Sequence, residues 1–154
     1  MRIAVSACLL GSPCRYDGKS VPVQRVVDLG EGNDLIPICP ECLGGLDTPR
    51  PRAEIVCGAQ DASAQKVVRT QQGRDVSNAY LLGAHKALDI YRAEGCTCAI
   101  LKSRSPSCGI REVHDGRFGE GMVVGQGVTA ALFQEVGITV YDETDIESGI
   151  GIDG

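Results

Sequence analysis

Short apolar runs alternate with longer stretches in which apolar residues recur at helical spacing. The apolar runs predict strands at residues 2–6, 35–38, 66–70, 97–101 and 138–141. The helical spacing predicts one helix over residues 76–92, with Asp75 as its N-cap, and another over residues 128–136. Strands separated by helices favour an α/β fold in which a mainly parallel sheet is flanked by helices. We expect residues 1–154 to form a single compact domain.

Three segments lack such patterns. Residues 46–58 contain Pro49 and Pro51, so we expect an irregular and partly exposed stretch. The glycine-rich residues 109–127 predict a mobile loop, and the chain after residue 142 predicts a mobile tail.

Composition and charge exclude several classes of function. The chain has 15 Lys and Arg against 20 Asp and Glu, a net charge of −5, which argues against binding of a nucleic-acid polymer. No apolar run approaches the roughly 18 residues of a membrane span. Only Met1 to Ala4 precede a stretch that mimics a lipoprotein cleavage site, too few for an export signal, so we expect a cytoplasmic protein.

The eight cysteines are the most unusual feature of the composition. In a reducing compartment, clustered thiols are more often metal ligands or redox centres than disulfides. Cys8, Cys39 and Cys108 each follow the end of a predicted strand. Because the carboxyl ends of parallel strands meet at one edge of a sheet, these three thiols can converge on one metal site there.

The other cysteines leave alternatives open. Cys39 and Cys42 form a C-x-x-C motif, which is typical of half a zinc site or of a redox dithiol. Zinc would need a second such pair, and a redox motif would open a helix, for which the residues after Cys42 are poorly suited. Three cysteines are interpreted as packing residues: Cys57, Cys96 and Cys98, the last two on the same face of one strand.

Six motif regions resemble the thiouracil desulfidase family, in order, between residues 2 and 142. They are V-S-A-C-L-L-G at 5–11, R-Y-D-G at 15–18, C-P-E at 39–41, G-G-L at 44–46 with P-R-P at 49–51, L-K at 101–102 with S-P-S-C-G at 105–109, and G-Q-G-V-T-A-A-L at 125–132.

The resemblance implies a 4Fe-4S cluster whose protein ligands are Cys8, Cys39 and Cys108. One iron stays open to the sulfur of a substrate, and Glu41 and Ser105 take catalytic roles. The expected reaction is a non-redox desulfuration of a thiolated pyrimidine such as 2-thiouracil, in which C=S becomes C=O and sulfide is released. An open iron suits this chemistry, because it accepts sulfur and polarises the thiocarbonyl bond.

Within this hypothesis, Glu41 acts as general base toward water, and Ser105 orients the substrate or the water by hydrogen bonding. Cys14 and Cys42 depart from the family pattern, and either could be a fourth ligand or a sulfur relay. Arg15 and Arg50 are candidates for substrate binding, and the N-terminus of the second helix could face the site. We expect a thiolated base or nucleoside as partner, and a monomer or homodimer. The alternative is a non-catalytic module that binds a metal or cluster and handles sulfur.

Overall fold

The computed structural model describes residues 1–60 and 65–152. Its strands are β1 (Arg2–Ser6), β2 (Asp34–Ile38), β3 (Ala53–Cys57), β4 (Val67–Thr70), β5 (Cys98–Leu101), β6 (Glu112–His114), β7 (Met122–Val124) and β8 (Val140–Asp142). Its α-helices are α1 (Gln24–Asp28), α2 (Pro40–Leu43), α3 (Ser77–Ala93), α4 (Val128–Glu135) and α5 (Glu143–Glu147). Short 3₁₀ turns lie at Ala7–Leu10 and Leu29–Glu31. None of the described helices is long and apolar enough to cross a membrane.

A four-stranded parallel sheet in the order β2-β1-β5-β8 forms the centre of the molecule. The two inner strands are apolar where they pair with each other: Ile3, Ala4 and Val5 of β1 are inaccessible to solvent, as is every residue of β5. Strands buried on both faces need helices on both sides. The predicted α/β fold with a mainly parallel sheet flanked by helices is therefore confirmed.

Two apolar clusters cover the faces of this sheet. On one face, Ala87, Leu88 and Tyr91 of α3 pack with Phe133 of α4, and the Tyr91 and Phe133 rings meet edge to face with centroids 5.6 Å apart. On the other face, Val26 of α1 and Ile146 of α5 pack against the sheet, together with Cys8 and Leu9 of the turn that follows β1. Both the helical stripe of α3 and the alternation of the strands place their apolar side chains inward.

Helix α3 begins one residue later than predicted, at Ser77. Asp75 is not its N-cap: its Oδ1 accepts a hydrogen bond from the Ser77 N–H, while the backbone N–H of Val76 donates to Val68 of β4. The Ser77 hydroxyl also accepts from the Val68 N–H at 2.8 Å. The start of the helix is therefore set by its docking on a neighbouring strand.

Three segments predicted to be irregular contain regular structure. Residues 46–58 include β3, which pairs antiparallel with β4, and the predicted glycine-rich loop contains the β6–β7 hairpin. This hairpin region is stabilised by Glu54, a buried carboxylate whose Oε1 accepts from the N–H groups of Gly116 and Phe118. The predicted tail begins with α5, which has a capping box between Asp142 and Asp145.

Helices α2 and α3 approach unusually closely because glycine lies on each side of the contact. A Cβ added to Gly83 would lie 1.8 Å from the Pro40 carbonyl oxygen, and one added to Gly44 would lie 2.0 Å from the Ala79 carbonyl oxygen. Any larger residue at either position would push the helices apart. This close packing brings the first turn of α2 against the side of α3 that carries Tyr80.

Candidate active site

The three cysteines that follow predicted strand ends line one cavity of about 360 Å³. Cys8 lies in the turn after β1, Cys39 directly after β2, and Cys108 in the turn that follows β5. Ser6 and Ile38 pair at the ends of β1 and β2, so Cys8 and Cys39 leave the same edge of the sheet. Glu41, Ser105 and Cys14 also line this cavity, whereas Cys42 does not. The structure thus brings together all five residues that the resemblance assigned to the site.

The thiols of this cavity are in contact with one another. The Cys14 side chain hydrogen-bonds with those of both Cys8 and Cys39. Hydrogen bonding to Cys14, and then burial, raises the pKa of Cys8 and of Cys39. The same hydrogen bonds lower the pKa of Cys14, although burial alone would raise it. Burial raises the pKa of Cys108 to about 11, despite hydrogen bonds from Ser6 and Ser107. Deprotonation of several of these thiols at once is therefore unfavourable unless a cationic group binds between them.

This donor set fits iron and sulfur chemistry. Thiolates are the ligands of iron–sulfur clusters, and three of them leave one iron of a four-iron cluster without a protein ligand. In the described part of the chain, no three His, Cys, Asp or Glu side chains are placed to hold a single metal ion. Cys8, Cys39 and Cys108 instead share the wall of one cavity of about 360 Å³.

Glu41 lies in the first turn of α2, which begins directly after Cys39. The Tyr80 hydroxyl donates to its Oε1, and an Nη atom of Arg50 lies 3.5 Å from its Oε2. Burial, and then the charge of Glu41, raise the pKa of Tyr80 well above its usual value, so the hydroxyl stays a donor. The carboxylate is therefore held in one orientation at the cavity wall.

Arg50 is buried, with 5% of its side chain exposed, and is not the surface residue that arginine usually is. Its Nη1 donates to the Asp47 carbonyl and to Thr48, and its Nη2 donates to the Cys14 carbonyl at 2.9 Å. Burial alone would lower its pKa, but the neighbouring charges of Glu41, Cys42 and Cys39 raise it. Arg50 does not line the cavity and acts behind its wall.

Ser105 accepts two backbone hydrogen bonds at its Oγ, from the N–H of Ser107 at 3.0 Å and from that of Cys108 at 3.1 Å. These bonds use the two lone pairs of the hydroxyl oxygen, so its hydrogen is left to donate. Ser105 therefore both shapes the turn that carries Cys108 and offers a donor at the cavity wall.

Helix α4 supports this turn from behind and does not face the cavity, contrary to the prediction. The N–H groups of Val128 and Thr129 donate to the carbonyls of Pro106 and Ser107. A Cβ at Gly127 would lie 2.4 Å from the Ser107 carbonyl carbon, so the two segments meet only because Gly127 has no side chain.

The packing role predicted for three cysteines holds in part. Cys98 is buried and Cys96 packs against the core, as predicted. The two cysteines lie on opposite faces of the sheet and not on the same face, because β5 begins at Cys98 and Cys96 precedes the strand. Cys57 is exposed, so its predicted packing role is wrong. Cys39 does precede a short helix, α2, contrary to the expectation for the residues after Cys42.

Sequence reasoning missed several residues of the cavity wall. Tyr80 lies on the apolar stripe of α3 and gives the signal of a core residue, whereas His114 lies in the segment that was predicted to be a mobile loop. Lys102 and Arg52 also line the cavity, where they pair with Glu143 at 3.0 Å and with Glu54 at 2.8 Å. Arg15 lines the cavity as well, as its candidacy for substrate binding requires.

Comparisons with known proteins identify the family of this chain. A family model described as 2-thiouracil desulfurase matches residues 3–145. The uncharacterized protein YbbK of Bacillus subtilis (strain 168) is 37% identical over 147 residues, which are 94% of this chain and 97% of YbbK. A solved structure of the [4Fe-4S]-dependent thiouracil desulfidase TudS is 41% identical, with a TM-score of 0.84 over 96% of this chain and 93% of the other.

Proposed function

Because the chain belongs to the 2-thiouracil desulfurase family, we propose that it is a 4Fe-4S-dependent desulfidase that converts the C=S group of a thiolated pyrimidine to C=O and releases sulfide. The single observation that carries this proposal is the convergence of Cys8, Cys39 and Cys108 on one cavity with Glu41 and Ser105 in its wall. The family favours this enzyme over a non-catalytic module that handles sulfur.

Cys8, Cys39 and Cys108 would hold the cluster. When bound, the cluster supplies an iron that accepts sulfur and polarises the thiocarbonyl bond without transfer of electrons. Cys8 and Cys39 closely follow the paired strands β1 and β2, and Cys108 lies in a turn after β5 that Ser105 and α4 hold in place.

Glu41 and Ser105 would carry out the proton and positioning steps. Glu41 takes a proton from the water that attacks the thiocarbonyl carbon and then returns it to the ring nitrogen or the departing sulfur. Tyr80 and Arg50 hold the carboxylate for this step. Ser105 donates its hydroxyl hydrogen to the substrate or to the water, since its oxygen is engaged by two backbone N–H groups.

We further infer that the substrate is a free thiolated base or nucleoside, without a nucleic-acid polymer, and that the enzyme acts in the cytoplasm as a monomer or homodimer. All eight cysteines are free, which suits a reducing compartment. Parallel assays with thiouracil and its nucleoside, together with measurement of the molar mass in solution, test these points.

The test of the function is anaerobic purification followed by iron, sulfide and uracil measurements with 2-thiouracil. We expect about four irons per chain and release of one sulfide for each uracil formed. The Cys8→Ala, Cys39→Ala and Cys108→Ala variants should lose iron and activity, and Cys57→Ala, at an exposed thiol, serves as the matched control. Full iron content and activity in all three ligand variants would sink the proposal.

Glu41→Gln and Ser105→Ala separate catalysis from cluster binding. Glu41→Gln should keep the iron content and visible spectrum of the wild type, while its kcat falls by about 100-fold or more, the usual scale of general acid–base catalysis. Because Ser105→Ala also removes the acceptor of the Cys108 N–H, its kcat is compared per cluster bound. Unchanged kcat in both variants would remove these residues from the mechanism.

A further inference from the structure

Cys14 is the thiol of the cavity to which the proposed mechanism gives no task. It lines the same cavity as Cys8, Cys39 and Cys108, and its side chain hydrogen-bonds with those of both Cys8 and Cys39. These two partners leave different strands of the sheet, so Cys14 lies between them. A group bound by the three proposed ligands would also meet the sulfur of Cys14.

The position of Cys14 relative to solvent is a second observation. Cys8 and Cys108 are buried, with 7% and 5% exposed, whereas Cys14, like Cys39, is partly exposed. Cys14 is therefore more accessible from solvent than Cys8 and Cys108.

The backbone of Cys14 is fixed although it belongs to no strand or helix. Its carbonyl accepts from Arg50 Nη2 at 2.9 Å and from the thiols of Cys39 at 3.8 Å and Cys42 at 4.0 Å. These contacts hold the backbone of the residue at the cavity. Cys42 shares the neighbourhood but does not line the cavity.

We propose that Cys14 is a fourth, exchangeable ligand, which binds the remaining iron when no substrate is present and gives way to the sulfur of the substrate. The proposal rests on the proposed function, because it requires the cluster. When the bond from Cys14 Sγ to iron forms, the thiol proton passes to solvent. When the substrate sulfur takes this position, the bond breaks and Cys14 is protonated again, so no electron is transferred.

An exchangeable ligand changes the affinity for incoming sulfur in a predictable way. If Cys14 occupies the iron for about nine tenths of the time, the apparent affinity for a competing sulfur ligand is about tenfold weaker than the intrinsic affinity. The same ligand protects the iron, so removal of Cys14 should also speed loss of the cluster to a chelator. Tighter binding together with a less durable cluster is the signature of such a role.

The experiment uses the cluster-loaded wild type and the Cys14→Ala and Cys14→Ser variants, with Cys42→Ala and Cys57→Ala as controls. Sodium hydrosulfide is titrated anaerobically while the visible and Mössbauer spectra are recorded. We expect Cys14→Ala to bind hydrosulfide about tenfold more tightly, to lose iron to a chelator several-fold faster and to change the Mössbauer signal of one iron. Hydrosulfide affinity and spectra equal to those of the wild type would overturn the proposal.

A measurement on the wild type covers the case in which the Cys14 variants do not assemble a cluster. Iodoacetamide labelling of the loaded protein, read by peptide mass spectrometry, should find Cys14 protected and Cys57 labelled. Hydrosulfide should then increase labelling of Cys14 several-fold. Equal labelling of Cys14 with and without hydrosulfide would overturn the proposal, whereas a wild type without iron or desulfidase activity would instead contradict the proposed function.

Discussion

Replacing Arg50 with methionine removes a buried charge that links two parts of the candidate site. Arg50 pairs with Glu41 across 3.5 Å and donates to the Cys14 carbonyl, and its side chain is 5% exposed. Methionine keeps much of the unbranched stem but has no donor for these acceptors. The variant should therefore lose stability and activity together.

The expected loss of stability follows from the geometry of the ion pair. Two unit charges 3.5 Å apart attract by about 5 kcal/mol at an effective dielectric constant of about 20. Desolvation of Arg50 offsets part of this attraction, and removing one partner of a buried pair typically costs about 3–5 kcal/mol. Since the Glu41 side chain is still 19% exposed, we expect the lower end, about 3 kcal/mol. For a domain of this size, the melting temperature should fall by about 6–12 °C.

Urea unfolding followed by circular dichroism measures this loss, and sulfide release from 2-thiouracil measures the activity. Arg50→Lys keeps the charge but has a point-like donor group, so it should lose less stability and recover part of kcat. In a Glu41→Gln background, the effect of Arg50→Met should shrink by about 1–3 kcal/mol, since residues in direct contact couple on this scale. An Arg50→Met protein within 0.5 kcal/mol of the wild type would refute the reasoning.

Three further predictions concern the elements around the site. The Gly83→Ala variant should unfold at a lower urea concentration than the wild type and have a lower kcat, because the added Cβ would collide with the backbone of α2. An unchanged urea midpoint would contradict this close approach of the helices. Tyr80→Phe should keep the iron content but lower kcat by roughly 10-fold or more, the scale of a lost hydrogen bond to a charged group, as sulfide release can check. Burial alone would raise the pKa of Glu143, but hydrogen bonds from Ser103 and the charge of Lys102 bring this pKa below its usual value. The ionised Glu143 should therefore contribute fully to stability at neutral pH, and this contribution should disappear as the pH falls through the lowered pKa. Urea unfolding of Glu143→Gln should accordingly depend less on pH in acid than unfolding of the wild type.

The convergence of cysteines was predictable because it depends only on strand direction. Short apolar runs identify β1, β2 and β5, and the carboxyl ends of parallel strands share an edge. Cys8, Cys39 and Cys108 follow these ends in the sequence. This inference needs no detailed side-chain geometry. It therefore holds even when the predicted strand ends are wrong by one or two residues.

The environment of Glu41 could not be predicted in the same way. Tyr80 has the spacing of a core residue on α3, and only the glycine contact between α2 and α3 turns its hydroxyl toward Glu41. The β6–β7 hairpin has strands of three residues each and depends on the distant carboxylate of Glu54. By contrast, α5 had a local signal, since Asp142 and Asp145 stand at the spacing of a capping box.

The candidate site combines fixed donors with one donor that can change its partner. Cys8 and Cys39 lie just beyond the ends of paired strands, Cys108 lies in the turn after β5, and Ser105 is fixed by two backbone N–H groups. Cys14 instead lies in a segment outside the strands and helices, anchored through its carbonyl. Its main anchor, Arg50, also holds Glu41. Arg50 therefore links the backbone of the proposed exchangeable ligand to the carboxylate proposed as base, so its loss should disturb both.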